Sequence, residues 1–316
     1  AQRGTSSTSS GYQTVDRFDV NYSGTDEAPT QAQVDVGSSD LPFTKGLTKA
    51  LKITNGNQTS GAGAADRIVI RYTIEAQDVR NSGWNYTSSS SFLTFSFYVR
   101  SSVAQNFFGQ LRAFDGTQQI FPFETGSLSA NTWTKVTVSI AGNSNLTFDN
   151  NNDKGLFIEW GMFRGTDGTS NSVTLNQWQA YSSSARTKDS TSTWYTTNDA
   201  TLEITGVQLE VGGVATDFEH RSFAEELALC QRYYFKHVMT DNIGPYFCQY
   251  SSNNRFVHDF FPVEMRSVPT STVTYGGTGT PTPYKLSRTH FKAYVSGAYN
   301  NTGTNNLTSA EYSAEL

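Results

Sequence analysis

A pyranose is gripped by a flat aromatic ring against its apolar face and by amides and carboxylates that take its hydroxyls. Two stretches carry that inventory: Trp178 and Tyr181 through Trp194, Tyr195 and Asn198, and the shorter Trp84-Asn85-Tyr86. Both fall between strand-like segments, where binding residues concentrate because loops vary freely on a rigid scaffold. The plainer reading of the same rings is that they cap a hydrophobic core. Core packing is the expectation for Trp133, which opens an alternating strand, and for Trp160, which shares a face with Leu156, Ile158 and Met162. Phe157, Glu159, Gly161 and Phe163 take the other face of that strand.

Cleaving a glycosidic bond needs two convergent carboxylates, roughly 5 Å or 6.5–9.5 Å apart. Asp115, Glu124, Asp149, Asp153, Glu159 and Asp167 supply carboxylates, although an acid in a Gly/Asn turn is ordinarily a turn former. With no Ser/His/Asp signature, phosphate loop or zinc motif, a non-enzymatic protein is expected. Cys230 and Cys248 are too few for a disulfide scaffold and read as ordinary buried thiols.

The elements that must position these residues are strands. Charged residues are 16% of the 316-residue chain and aromatics 13%, with Ser, Thr, Asn and Gly abundant, a mixture that suits β-strands joined by polar turns. Apolar segments recur at 49–53, 67–74, 92–99, 107–114, 132–140, 156–163 and 201–211, each bounded by turn residues. Strands that bury one face need a partner layer, so two packed antiparallel sheets follow for about 11–212. A net charge of -5 without clustered Lys or Arg disfavours nucleic acid and anionic membranes. No run approaches the roughly 20 apolar residues of a bilayer span, and the opening Ala1-Gln2-Arg3-Gly4 reads as a cut or processed edge of something longer.

The pattern changes once. Ser222-Phe223-Ala224-Glu225 has capping-box spacing, and Phe223, Leu227, Cys230 and Tyr234 recur at helical intervals, predicting an amphipathic helix from 223 to about 235. That stripe is the candidate oligomer interface. Strands are predicted afterwards at 244–250, 255–263, 270–275, 289–295 and 311–316, with a loop over 276–283.

The stretch Gly206-Val207-Gln208-Leu209-Glu210-Val211-Gly212, with Ala215 to Ser222 and Glu226 to Tyr234, resembles a junction of bacteriophage tail-fibre proteins, marine phages especially. Val15-Asp16-Arg17-Phe18 resembles that family's entry strand, and Phe261 to Arg266 its C-terminal domain. The resemblance implies an all-β chain: an extended lead-in over 1–10, a carbohydrate-binding-module-like jelly roll over 11–219, a linking amphipathic helix within 220–236, and a small antiparallel β-domain over 237–316. It implies an extracellular virion protein that attaches to a bacterial surface glycan, forms a homotrimer and docks other virion proteins through sequence upstream of Ala1. Jelly rolls of that kind often tie their first and last strands with calcium, for which Asp16, Asp19 and Glu210 are the candidate ligands. A fibre spacer or decoration protein without ligand and a polysaccharide-degrading fibre are the alternatives.

Overall fold

Along Thr134–Ala141 every second side chain is buried: Val136, Val138 and Ile140 point inward, while Lys135, Thr137 and Ser139 face solvent. Such a strand requires a facing layer. The computed structural model, which describes residues 2–238, 247–251, 254–275, 281–296 and 307–316, supplies it. Two units divide the chain, residues 3–219 and 220–316.

The strands of the first unit are β1 (Ser6–Ser7), β2 (Phe18–Ser23), β3 (Thr30–Asp35), β4 (Lys49–Thr54), β5 (Arg67–Glu75), β6 (Phe92–Ser101), β7 (Asn106–Ala113), β8 (Gln119–Ser127), β9 (Thr134–Ala141), β10 (Lys154–Arg164), β11 (Gln179–Ala180) and β12 (Thr201–Val211). Two short helices, α1 (Ala76–Arg80) and α2 (Thr193–Thr196), interrupt them. One sheet has the order β1-β3-β4-β12-β6-β9 and the other β11-β8-β7-β10-β5-β2. Apart from the hairpins β3–β4 and β7–β8, most consecutive strands alternate between the sheets, giving an antiparallel β-sandwich with jelly-roll crossovers. Their inner faces meet in a core that includes Ile53, Phe95, Phe97, Phe123, Phe148 and Trp160.

Trp133 is buried, as expected, but not between the two sheets. Val99 pairs with Thr134 and Tyr98 with Lys135, which sets the preceding residue on the outside of the first sheet. There Trp133 joins Val36, Leu47, Ala50 and Tyr98 in a second, smaller cluster, with the Arg100 guanidinium 4.8 Å from its ring centroid. Phe163 also moves. A register shift between Gly161 and Phe163 turns its side chain into the core, where it stacks on Tyr195 at 4.4 Å.

In the second unit the capping box forms: Ser222 Oγ accepts from the Glu225 amide, and Glu225 Oε2 accepts from the Ser222 amide at 2.9 Å. The helix α3 (Phe223–Gln231) stops sooner than its spacing predicts, because Tyr234 opens strand β13 (Tyr234–Val238). The remaining strands are β14 (Phe247–Ser251), β15 (Asn254–Phe260), β16 (Thr270–Tyr275), β17 (Pro281–Leu286), β18 (His290–Ser296) and β19 (Leu307–Ser313). They make sheets β13-β19-β16 and β14-β15-β18-β17 around Met265, Phe291, Ala310 and Tyr312. No helix among the described residues is long and apolar enough to cross a membrane.

Candidate functional site

The outer face of the second sheet carries a cluster of charged side chains. On β10 the side chains alternate, and because Trp160 lies in the core, Glu159 and Phe157 face outward. Arg71 of β5 and Gln110 of β7 stand directly opposite Glu159, and Asp19 of β2 stands opposite Arg71. Arg112, two residues beyond Gln110, lies beside Phe157.

Glu159 is 2% exposed, so its charge must be compensated locally. It accepts from Arg164 Nη2 at 2.6 Å, Arg71 Nε at 2.8 Å and Gln110 Nε2 at 2.9 Å. Burial raises its pKa, but the two guanidiniums and these hydrogen bonds outweigh burial and hold it at about 2. Asp19 shifts the other way: burial raises it more than Arg71, 3.9 Å away, lowers it.

Beside this ionic cluster lies an aromatic one. The Arg112 guanidinium sits 3.5 Å from the Tyr181 ring centroid and 4.8 Å from that of Phe114. Phe114 packs on Phe157 with centroids 5.2 Å apart. Arg112 donates from Nε to Gln118 Oε1 at 3.1 Å, and the Tyr181 amide donates to the Gln118 carbonyl at 3.0 Å, which ties the ring to the sheet edge. Arg186 approaches the same ring at 5.9 Å. Tyr181, Arg112, Arg186 and Phe114 are all half-buried, so rings, guanidiniums and amides reach solvent together.

Of the ring candidates, Tyr181 alone joins this assembly. Trp84 is 3% exposed, and Trp194 and Tyr195 are fully buried. Trp194 donates Nε1 to the Thr201 carbonyl at 3.0 Å, and the Tyr195 hydroxyl donates to Asp66 at 3.1 Å. These three rings close the core, and no sugar can stack on them. Tyr86 packs edge-on against Phe148 at 5.1 Å. Trp178 leans on Phe121 and donates to the Ala141 carbonyl at 2.8 Å. Asn198 is exposed and donates to Asp199 at 3.2 Å.

The calcium ligands do not assemble. Glu210 belongs to the first sheet and accepts from the Thr216 amide at 2.9 Å and hydroxyl at 2.7 Å, whereas Asp19 belongs to the second and faces Arg71. Asp16 lies 3.7 Å from Arg3. Among the described residues no three His, Cys, Asp or Glu side chains converge in a way that would hold a metal ion.

The oligomer stripe is likewise not one surface. Phe223 is 82% exposed and Leu227 and Cys230 are half-buried, but Tyr234 is 3% exposed on β13.

Sequence reasoning missed Arg112, Arg186, Phe114 and Gln118. Spacing gives no signal for their convergence: Gln110-Leu111-Arg112-Ala113-Phe114 alternates Gln110, Arg112 and Phe114 with buried Leu111 and Ala113, which marks an outward face and nothing more.

No family model and no curated protein matches the sequence. Among solved structures, the enzymatically active domain of bacteriophage CBA120 tailspike protein 4 is 9% identical over 62% of this chain, with a TM-score of 0.33. This chain spans 19% of that one. The N-terminal cellulose-binding domain of Cellulomonas fimi β-1,4-glucanase C is 10% identical over 68% of this chain and 99% of its own, with a TM-score of 0.31. The family 11 carbohydrate-binding module of Clostridium thermocellum, solved with a β-1,3-1,4-mixed-linked tetrasaccharide, is 9% identical over 67% and 98%, with a TM-score of 0.31. At this level of likeness neither ligand nor activity carries over.

Proposed function

We propose that the first unit is a non-enzymatic glycan-binding module and that its ligand lies across the outer face of the second sheet. The observation that carries this is the half-buried assembly of Tyr181, Phe114, Arg112 and Gln118, which joins aromatic faces to hydrogen-bond donors and acceptors at one sheet edge. A sugar hydroxyl finds partners there, and an apolar sugar face finds a ring. In keeping with the family resemblance of the sequence, the chain acts as the distal part of a phage tail fibre, outside the cell, attaching to a bacterial surface glycan. It does so as a homotrimer held to the virion by other proteins. Phe223, exposed at the start of α3, is the residue most suited to meet a second copy.

Screening the purified chain against bacterial envelope polysaccharides, with Tyr181→Ala and Arg112→Ala as variants, tests the reading. Selective binding lost in both variants is expected. A folded protein that binds no envelope glycan would favour a ligand-free spacer.

Polysaccharide cleavage is the second reading, favoured by one observation: Asp19 is raised and Glu159 lowered on either side of Arg71, the kind of split an acid and a base require. Against it, three donors occupy Glu159 and Arg71 stands between the carboxylates. Unchanged polymer length after prolonged incubation supports binding alone.

A further inference from the structure

The outer face of the second sheet has more positive charge than its carboxylates answer. Arg67, Arg71, Arg112, Arg164 and Arg186 gather around Glu159, and their charges act on one another. Asp19, Glu75 and Glu124 are the other acids of that face; Glu75, buried at the far end of β5 opposite Lys154, accepts from Gln77 at 2.6 Å, and Glu124 accepts from Asn106 at 2.6 Å. Arg71 and Arg164 are occupied by Glu159. The other three have no carboxylate within ion-pair distance among the described residues. Arg67 donates Nε to the neutral amide of Asn21 at 2.8 Å, Arg112 turns to Gln118, and Arg186 holds a buried Nε with no acceptor.

Clustering desolvated guanidiniums is unfavourable: burial is the main cause that pushes the pKa down in Arg67 and Arg112, with Arg71, Arg164 and Arg186 adding to it at Arg67, and Arg186 adding to it at Arg112 against the raising effect of Tyr181. A protein of net charge -5 has no general excess of cations that would account for it. A bound anion would relieve the strain, since a guanidinium fork fits two oxygens of a carboxylate, sulfate or phosphate. A neutral sugar offers hydroxyls but no compensating charge.

We infer that the ligand of this face is an acidic polysaccharide, with Arg112 and Arg186, beside Tyr181, gripping the anionic group of a sugar, and Arg67 adding to the field. The inference rests on the glycan-binding reading of the same face and narrows it to one chemical class. Carboxylate, sulfate and phosphate share the chemistry, so the experiment separates them.

The full chain would be run in affinity electrophoresis through polygalacturonate, dextran sulfate and polyglycerol-phosphate teichoic acid. Carboxyl-reduced polygalacturonate and plain dextran would be the neutral partners. Retardation by at least one acidic polymer and by neither neutral one is expected, weakening with salt. R112Q and R186Q should each weaken it about tenfold or more, the usual size of a charge-assisted hydrogen bond. K135Q, which removes a charge from the opposite sheet, should not. R186Q keeps the test open if R112Q fails to fold, since Arg186 Nε has no acceptor to lose.

Equal retardation by neutral and acidic polymers would overturn the acidic ligand and leave glycan binding standing. No retardation by any polymer, including native envelope polysaccharide, would remove both. Acidic binding unchanged in folded R112Q and R186Q would overturn the site.

Discussion

Glu159 ties Arg164, Arg71 and Gln110 into one buried network, and a buried ion pair is costly to break from one side. Glu159→Gln keeps the shape but leaves the Arg164 guanidinium without its counter-charge and Arg71 with only Asp19, 3.9 Å away. A loss of about 3–5 kcal/mol in urea unfolding is expected. The same residue sets an acid limit. Its folded pKa of about 2 lies below the ordinary value of 4.5, so its contribution is complete above pH 4.5 and disappears as pH falls toward 2. Integrated, that amounts to about 3 kcal/mol. Asp19, raised in the folded protein, works in the opposite direction and offsets part of it. Urea melts from pH 6 down to pH 3 should show stability declining below pH 4.5, and a flat profile would mean that Glu159 is not held as described. Trp194 shows what single residues conceal. Its polar neighbours Ser192, Thr193 and Thr196 read as a loop surface, but tertiary packing buries the indole completely. Trp194→Ala should therefore cost about 3–5 kcal/mol and report on folding, not on ligand.

Strand β7 owes its fit to Gly109, which lies opposite Trp160 on the core side. A Cβ there would meet Phe123 Cζ at 2.3 Å and the Glu159 carbonyl at 2.4 Å. Because one contact is backbone, side-chain repacking alone cannot make room. Gly109→Ala should lower stability by about 1–3 kcal/mol, measured by thermal or urea melts, and weaken glycan binding by moving Gln110 and Arg112. Elements whose apolar residues alternate, such as β9 and β12, are legible in the sequence. Others hide for identifiable reasons. β3 buries Gln31 at 1% exposure, because Gln31 accepts from Thr14 and donates to the Ser9 and Gly11 carbonyls, which makes an inward residue look polar. β8 contains Pro122 and reads as interrupted, yet its neighbour β11 spans only two residues and asks for few donors. β17, whose start falls in the predicted loop over 276–283, pairs only with β18 among the described residues, at its sheet's edge, where Pro281 and Pro283 are tolerated. The candidate site was legible only at Tyr181, since the arginines converge through register and the bulge at Gly161 rather than through spacing.

At the scale of the whole chain, the two cores are built independently. The first draws every residue from Val15 to Leu209, and the second from Phe235 to Ala314. The first core is large, closed by both sheets and capped by Trp84, Trp194 and Tyr195. Among the described residues the second centres on Met265, Phe291, Ala293, Ala310 and Tyr312 and leaves Phe223 and Phe260 82% and 65% exposed. A small core gains most from association, because the apolar area it cannot cover itself is covered by another copy. A fragment of residues 1–219 should therefore fold cooperatively as a monomer and bind acidic polymer through a single site. The full chain should associate through its second unit and bind the same polymer more tightly, by roughly 10² to 10⁴ when several sites engage at once. Light scattering gives the mass, and titration of both forms with one polysaccharide preparation gives the ratio. Phe223→Asp, made in the full chain, separates the contributions: it should reduce that chain's mass to a monomer and its affinity to that of the fragment while leaving its circular dichroism spectrum unchanged. If the full chain is monomeric and binds no better than residues 1–219, the second unit does not supply multivalency, and exposed Phe223 must serve another contact.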